Sequence, residues 1–163
     1  MDVDQQEMVI KVVADRRRTR PVYEPLHVRP IEQDVYEVLY CPGLTLNLAK
    51  GDVIAIRDPQ APAEVLKRGG NFCIHLYADE IPQALINELD QEVRSKLGGM
   101  LDGRYKGNLT LSVPARNGRG KIAEVFNRFR EKSGVEWYYS NVYKNFEDPE
   151  DETLLDWWHE FCE

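Results

Sequence analysis

The second half of the chain carries the feature that most limits its fold, a repeated change between strand-like and helix-like spacing of apolar residues. Segments rich in β-branched and aromatic residues alternate with segments whose apolar residues recur at steps of three and four, the period of a helix face. The strand-like segments are 72–77, 100–105, 109–113 and 135–143. The helix-like segments are 79–97 and 121–132. The predicted order from residue 72 is therefore strand, helix, strand, strand, helix, strand.

That order is typical of a ferredoxin-like βαββαβ sandwich, in which two helices cover one face of a four-stranded antiparallel sheet. We expect Asp79 to cap the first helix, with Glu80 and Pro82 in its first turn. The Gly98-Gly99 pair should end it. The second face of the sheet is left for a partner, a ligand or the N-terminal half. We favour the N-terminal half, because two modules this small gain stability by sharing a core.

The first 70 residues are rich in β-structure. Short runs of β-branched residues recur between Gly, Pro and Asn turns, a pattern that predicts an antiparallel meander or a small barrel. The predicted strands are 8–13, 35–40, 53–56 and 63–67. We therefore predict an α+β protein with three parts. They are a β-rich subdomain at 1–70, a ferredoxin-like subdomain at 71–146 and an acidic aromatic segment at 147–163.

The C-terminal segment, residues 147–163, concentrates the negative charge. It holds eight of the 28 carboxylates and no Lys or Arg, whereas the rest of the chain carries 21 basic and 20 acidic side chains. The net charge of -7 therefore belongs to this segment. We predict an amphipathic α-helix here, capped by Asp148 with Pro149 at its first position. Its apolar face would consist of Leu154, Trp157, Trp158 and Phe161.

The aromatic residues of this segment leave two interpretations open. The helix either packs back on its own body or engages a basic partner, because Trp side chains anchor interfaces while peripheral charges steer association. The residues predicted to contact such a partner are Glu150, Asp151, Glu152, Asp156, Trp157, Trp158, Glu160 and Phe161.

No catalytic motif stands out. Cys73 and His75 lie two apart on a predicted strand, so their side chains share a face and suggest either part of a metal site or a Cys/His nucleophile. The sequence supplies no third or fourth ligand for zinc, and we interpret both as half-buried sheet residues. His159 and Cys162, close together near the C-terminus, are interpreted as incidental. We predict no catalytic residue, no metal and no cofactor.

The turn from Gly118 to Lys121 is the best candidate for a small ligand. It precedes a predicted helix, whose free N-terminal amides suit an anion, and Arg116, Arg119 and Lys121 would supply positive charge. The spacing is not that of a P-loop, in which Ser or Thr follows the Lys. The alternative is an exposed turn.

Turn glycines and core residues form a set of motifs between residues 35 and 144. The motifs are Leu48 to Val53, the Gly69-Gly70-Asn71 turn, Leu97 to Gly103 and Val113-Pro114. They resemble a family of small bacterial proteins catalogued only as a domain of unknown function. The N-terminal strand and the C-terminal segment are not part of that pattern. The resemblance implies a bacterial or phage origin and supplies no activity or catalytic residue.

The sequence favours a non-enzymatic, protein-binding module, most concretely an acidic inhibitor or immunity-type protein that blocks a basic toxin or enzyme. The alternatives are a small-anion-binding regulatory module and a small enzyme with an unrecognised site.

No stretch approaches the ~20 apolar residues of a membrane span. The acidic N-terminus and three cysteines without framework spacing indicate the cytoplasm. The nearly neutral body argues against a nucleic-acid surface. The partner's identity and the oligomeric state stay open.

Overall fold

The computed structural model describes residues 6–15 and 20–162, and over these residues it contains two antiparallel sheets and two α-helices. The first sheet takes its strands in chain order, which makes it an open meander. Its strands are β1 (Met8–Asp15), β2 (Val22–Glu32), β3 (Val35–Val38), β4 (Val53–Ala55) and β5 (Glu64–Lys67). The predicted mixed α+β class and the β-rich first half are confirmed.

The long strand β2 was not predicted, because prolines are unfavourable in strands. Pro21 precedes β2, and Pro25 and Pro30 lie within it. Pro25 pairs with Lys11 of β1, and Pro30 stands beside an irregularity in the pairing with β3. A proline has no amide hydrogen to donate, so it is tolerated in a strand where the ladder is already broken. Leu26 and Val28 nevertheless alternate inward and are fully buried. The first core comprises Val12, Leu26, Val28, Val38, Leu48, Ile54 and Ala63.

The second sheet has the strand order β7-β8-β6-β9, with every neighbouring pair antiparallel. Its strands are β6 (Asn71–Leu76), β7 (Met100–Tyr105), β8 (Asn108–Pro114) and β9 (Trp137–Tyr139). Helix α1 (Gln83–Glu92) follows β6, and helix α2 (Arg119–Ser133) follows β8. The apolar residues of both helices share one core with Phe72, Ile74 and Leu76 of β6.

Helix α1 begins later than predicted. Pro82 occupies the position before its first residue and makes no side-chain cap, so Asp79 and Glu80 precede the helix. The last turn widens into a π-helix at Val93–Leu97 and ends at Gly98, whose backbone is left-handed with φ 66°. The predicted glycine stop is therefore confirmed.

The alternation along β6 determines how the two halves of the protein meet. Phe72, Ile74 and Leu76 face the helices, whereas Cys73 and His75 contact residues 41–43 of the first half. Both cysteine and histidine are fully buried. The expectation that the N-terminal half covers the second face of this sheet agrees with these contacts.

The C-terminal segment does not contain the predicted amphipathic α-helix. The amide of Lys144 donates to the carbonyl oxygen of Thr153, and Tyr143 and Leu154 form an antiparallel bridge. The segment therefore runs back along the chain that precedes it. Within residues 147–162 only Trp157–Glu160 is helical, as a short 3-10 helix.

Local hydrogen bonds explain why this segment is not an α-helix. The carboxylate of Asp148 accepts from the amide of Glu150, and that of Asp151 accepts from the amide of Thr153, each at 3.0 Å. Such turns give the backbone amides a partner two residues away and so compete with helix formation.

Candidate functional site

Aromatic side chains fasten the C-terminal segment to the body. Trp158 is 4% exposed, and its ring centroid lies 5.8 Å from that of Phe72. Trp157 is half-buried, and its Nε1 donates to a backbone carbonyl oxygen of the body at 2.9 Å. Phe161 lies against Gly70, where an added Cβ would come 2.8 Å from the ring. Of the two interpretations left open, the packing of these rings agrees with attachment to the chain's own core, and their contact with a partner stays a prediction.

The carboxylates of the same segment stay at the surface. Glu150, Glu152, Asp156 and Glu160 are exposed, and Asp151 is partly exposed. Burial of the rings therefore fixes the backbone that carries these surface carboxylates. The role of these carboxylates in binding stays a prediction.

A cavity of about 200 Å³ lies between β9 and the C-terminal segment. Aromatic and apolar residues form much of its wall: Leu46, Tyr138, Tyr139, Tyr143 and Phe146. Asp148, Asp151 and Glu152 line it from the segment. Ser140 and Tyr139 also line it, and their side-chain oxygens are buried without a hydrogen-bond partner. The cavity thus joins aromatic surfaces and carboxylates.

Hydrogen bonds keep one of these carboxylates ionised. The side chain of Thr153, followed by its backbone amide, lowers the pKa of Asp151, and nearby Lys144 acts in the same direction. Lys144 adds one positive charge to a place where three carboxylates line the cavity. Aromatic faces beside carboxylates are surroundings in which proteins hold organic cations.

The three basic residues predicted to bind an anion do not converge. The guanidinium of Arg119 lies 5.1 Å from the ring centroid of Tyr139 and 5.4 Å from that of Trp158. A Cβ on Gly98 would lie 3.4 Å from a guanidinium nitrogen of Arg116, which places that side chain near the end of α1. Lys121 is exposed on α2. Arg119 therefore stabilises the attachment of the C-terminal segment, and the anion site remains a prediction without a common centre.

Cys73 and His75 form a hydrogen-bonded pair at the contact between the two halves. The sulfur of Cys73 lies 3.3 Å from His75 Nε2, and the same nitrogen lies 2.8 Å from the carbonyl oxygen of Pro42. On the other side of the ring, Nδ1 lies 3.2 Å from Tyr138 Oη and 3.3 Å from Tyr77 Oη. We call residues 41–43 together with these side chains the seam.

Electrostatics in the seam favours a thiolate beside an imidazolium. Burial by itself would raise the pKa of Cys73, but hydrogen bonds with Cys41 and His75 outweigh it and lower that pKa to about 6. Burial would lower the pKa of His75, yet its hydrogen bond with Cys73 raises it overall. Burial raises the pKa of Tyr138, so its hydroxyl stays protonated. Both members of the pair are fully buried, so neither side chain is open to solvent in this conformation.

Asp102 contacts the seam through the backbone of Cys41. The Cys41 amide donates to Asp102 Oδ2 at 2.8 Å, and Ser112 Oγ donates to Asp102 Oδ1 at 3.2 Å. Burial raises the pKa of Asp102 despite these bonds. A second cavity, of about 270 Å³, is lined by Cys41, Asp102 and Glu24 among others. The sequence pattern relates Cys73 to His75 but not to Cys41 or Asp102, because no spacing links positions so far apart in the chain.

His27 lines the same cavity as Cys41, whereas Cys162 belongs to the C-terminal segment. His27 packs edge-on against Tyr40, and the thiol of Cys162 donates to the carbonyl oxygen of Ala115 at 3.2 Å. Over the described residues, no group of three or more His, Cys, Asp or Glu side chains is arranged to hold a metal ion. Within the same residues, no helix is both long and apolar enough to cross a membrane.

Three comparisons with known proteins bear on the fold. A family model described as a domain of unknown function, DUF4265, matches residues 24–137. A crystal structure described as novel and belonging to a hypothetical protein from Neisseria gonorrhoeae is similar with a TM-score of 0.62 at 18% sequence identity. The similarity covers 83% of this chain and 95% of that one, and extends to the fold alone. No functionally curated protein matches the chain. The resemblance predicted from turn glycines is confirmed, and the chain belongs to the DUF4265 family.

Proposed function

We propose that the protein is a non-enzymatic binding module that receives a basic side chain of another protein at its C-terminal segment. In its most concrete form it is an immunity-type inhibitor of a basic toxin or enzyme. The observation that carries the proposal is the cavity of about 200 Å³, which is lined both by the rings of Tyr138, Tyr143 and Phe146 and by Asp148, Asp151 and Glu152.

The chemistry of this cavity fits a Lys or Arg side chain. An ammonium or guanidinium group gains roughly 0.5–2 kcal/mol over an aromatic face, and more where water is excluded. The exposed carboxylates around the cavity attract a basic surface before contact and speed its association.

The rigid attachment of the segment supports the proposal. Trp158 is in the core, and Arg119 lies over both Trp158 and Tyr139. A segment ordered before binding loses less conformational entropy when it binds, so more of the interaction free energy appears as affinity.

We also infer that residues 71–146 are a ferredoxin-like sandwich. The strand order β7-β8-β6-β9 supports this, as do the two helices that share a core with one face of β6. In such a fold the second sheet face is free to take another module, and here Cys73 and His75 occupy it. Solving the strand pairings by NMR from amide-to-amide contacts tests the inference, and a parallel β6-β8 pair would contradict it.

A defined probe tests the cavity. We expect Nα-acetyl-arginine amide to shift the NMR signals of Tyr138, Tyr143 and Phe146, because its guanidinium enters between the rings and the carboxylates. Nα-acetyl-norleucine amide has a similar apolar stem without the charge and should leave these signals in place. Equal shifts with both compounds, or shifts spread over the whole surface, would contradict a cation site.

Capture of a partner tests the function. Wild-type protein and the triple variant Asp148→Asn, Asp151→Asn and Glu152→Gln would be used to retain proteins from the native host. The substitutions keep the acceptor oxygens that hold the turns. We expect a basic protein whose affinity falls by about 2 kcal/mol, roughly 30-fold, in the variant.

A matched control removes the same number of charges elsewhere. Glu80→Gln, Glu124→Gln and Glu131→Gln lie on exposed positions away from the segment and should leave partner affinity nearly unchanged. Equal weakening by both triple variants would attribute the effect to net charge and reject the segment as the binding surface.

A further inference from the structure

Cys41 and Cys73 form a buried pair of thiols that joins the two halves of the protein. Cys41 belongs to the turn after β3, and Cys73 lies on β6. Their exposed fractions are 5% and 0%, they form a separate cluster with Ala49, and each thiol shifts the pKa of the other. Neither takes part in the cavity of the proposed function. The protein thus holds two unlinked sulfurs together where its two sheets meet.

The surroundings give the two thiols different chemical roles. Cys73 has the imidazole of His75 at 3.3 Å, and this contact with the hydrogen bond from Cys41 lowers its pKa. The pKa of Cys41 is raised, first by burial and then by Cys73 and Asp102. Cys73 therefore loses its proton more readily than Cys41, the combination in which one cysteine reacts with an oxidant and the other resolves the product.

We propose that Cys41 and Cys73 are a peroxide-sensitive dithiol that forms a disulfide across the seam. The Cys73 thiolate attacks one oxygen of hydrogen peroxide, the O–O bond breaks, and Cys73 becomes a sulfenic acid while hydroxide leaves. The Cys41 sulfur then attacks the sulfenic sulfur, the S–O bond breaks, and the Cys41 proton leaves with the oxygen as water. Peroxide is reduced by two electrons, and the two cysteines are oxidised by two electrons.

The structure favours a small oxidant over a large one. Cys41 lines the cavity of about 270 Å³ beside Asp102 and Glu24, whereas Cys73 lies behind it and is fully enclosed. Peroxide, close to water in size, reaches such a place far more readily than an aromatic disulfide reagent. The imidazole of His75 stabilises the negative charge of the thiolate. Its ring is oriented by the contact of Nε2 with the Pro42 carbonyl oxygen at 2.8 Å.

The experiment uses the full-length chain with Cys162→Ser, which removes the remaining, partly exposed cysteine. After treatment with hydrogen peroxide, we expect the intact mass to fall by two hydrogens and a non-reduced digest to contain one peptide pair linked through Cys41 and Cys73. Dithiothreitol should restore the original mass and NMR spectrum. A bulky aromatic disulfide should react much more slowly than peroxide.

Single variants in this background distinguish the two roles. Cys41→Ser should leave a sulfenic acid on Cys73 that a dimedone probe traps, and Cys73→Ser should leave Cys41 as a thiol at the same peroxide dose. The proposal fails if peroxide oxidises both cysteines independently without a linked peptide. It fails equally if Cys41 reacts first, or if the linked peptide appears only in protein whose NMR spectrum shows unfolding.

Discussion

Gly51 and Gly69 pass each other in backbone contact, close to where the two halves of the protein are joined. A Cβ on Gly69 would lie 2.3 Å from the carbonyl carbon of Gly51, a distance that real atoms do not reach. The neighbouring Asp52 accepts from the amide of Gly69 at 2.9 Å, and Asn71 donates to the carbonyl oxygen of Lys50 at 3.0 Å. The two turns therefore interlock, and both motifs carry the family resemblance.

Gly69→Ala should be strongly destabilising. The added methyl group meets backbone atoms of Gly51, which cannot rotate away as a side chain would. We therefore expect the free energy of unfolding to fall by about 1–3 kcal/mol. Urea denaturation measures this. The control is Gly120→Ala, where a Cβ has no neighbour within 4 Å and the helix gains about 0.5–1 kcal/mol. Similar stability of both variants would contradict the close approach.

Trp158→Ala should remove a core side chain. The ring is 4% exposed and contacts Phe72, Trp157 and Arg119, so we expect a loss of roughly 3–5 kcal/mol in unfolding free energy. Leu154→Ala in the same segment is the matched control, because Leu154 is 45% exposed and should change stability by about 0.5 kcal/mol or less. Thermal and urea unfolding of both variants measure the two changes in stability. An unchanged midpoint for Trp158→Ala would show that the segment does not pack on the body.

Local signals in the sequence were enough to predict much of the fold. The neighbouring strands predicted at 100–105 and 109–113 and the helix stop at Gly98 depend on nearby residues, and they were found where expected. The C-terminal segment was assigned to the wrong structure, because its Asp148 satisfies a turn as readily as a helix cap. No local pattern indicates that Cys41 contacts Cys73, because that contact depends on how two separate sheets meet.

The seam should give the protein its highest stability near neutral pH. In the folded state the pKa of Cys73 is about 6, below its ordinary value, so its contribution to stability is complete above the ordinary thiol pKa, declines below it and is lost as pH falls through about 6. The pKa of His75 is raised, so its contribution is present at lower pH and is lost as pH rises through the folded value. Both contributions coexist between these two pKa values.

NMR can observe this ion pair directly. We expect the Cβ chemical shift of Cys73 to report a thiolate at neutral pH and a thiol once the pH falls through about 6. His75→Gln keeps a hydrogen-bonding side chain but removes the positive charge, so the pKa of Cys73 should rise toward the ordinary thiol value of about 8.5. A Cys73 shift that reports a neutral thiol near pH 7 in the wild-type protein would contradict the thiolate assignment.

The carboxylates of the C-terminal segment should separate into structural and surface groups. Asp148 and Asp151 accept backbone hydrogen bonds, whereas Glu150 and Glu152 are exposed and have no such bond among the contacts of the described residues. Asp148→Ala with Asp151→Ala should therefore speed amide hydrogen exchange at Glu150 and Thr153. Glu150→Gln with Glu152→Gln removes the same charge and should leave exchange unchanged, while making association with a basic partner slower and less sensitive to salt. If the glutamate pair also loosened the segment, its charges would be part of the fold, and their effect on association could not be assigned to steering.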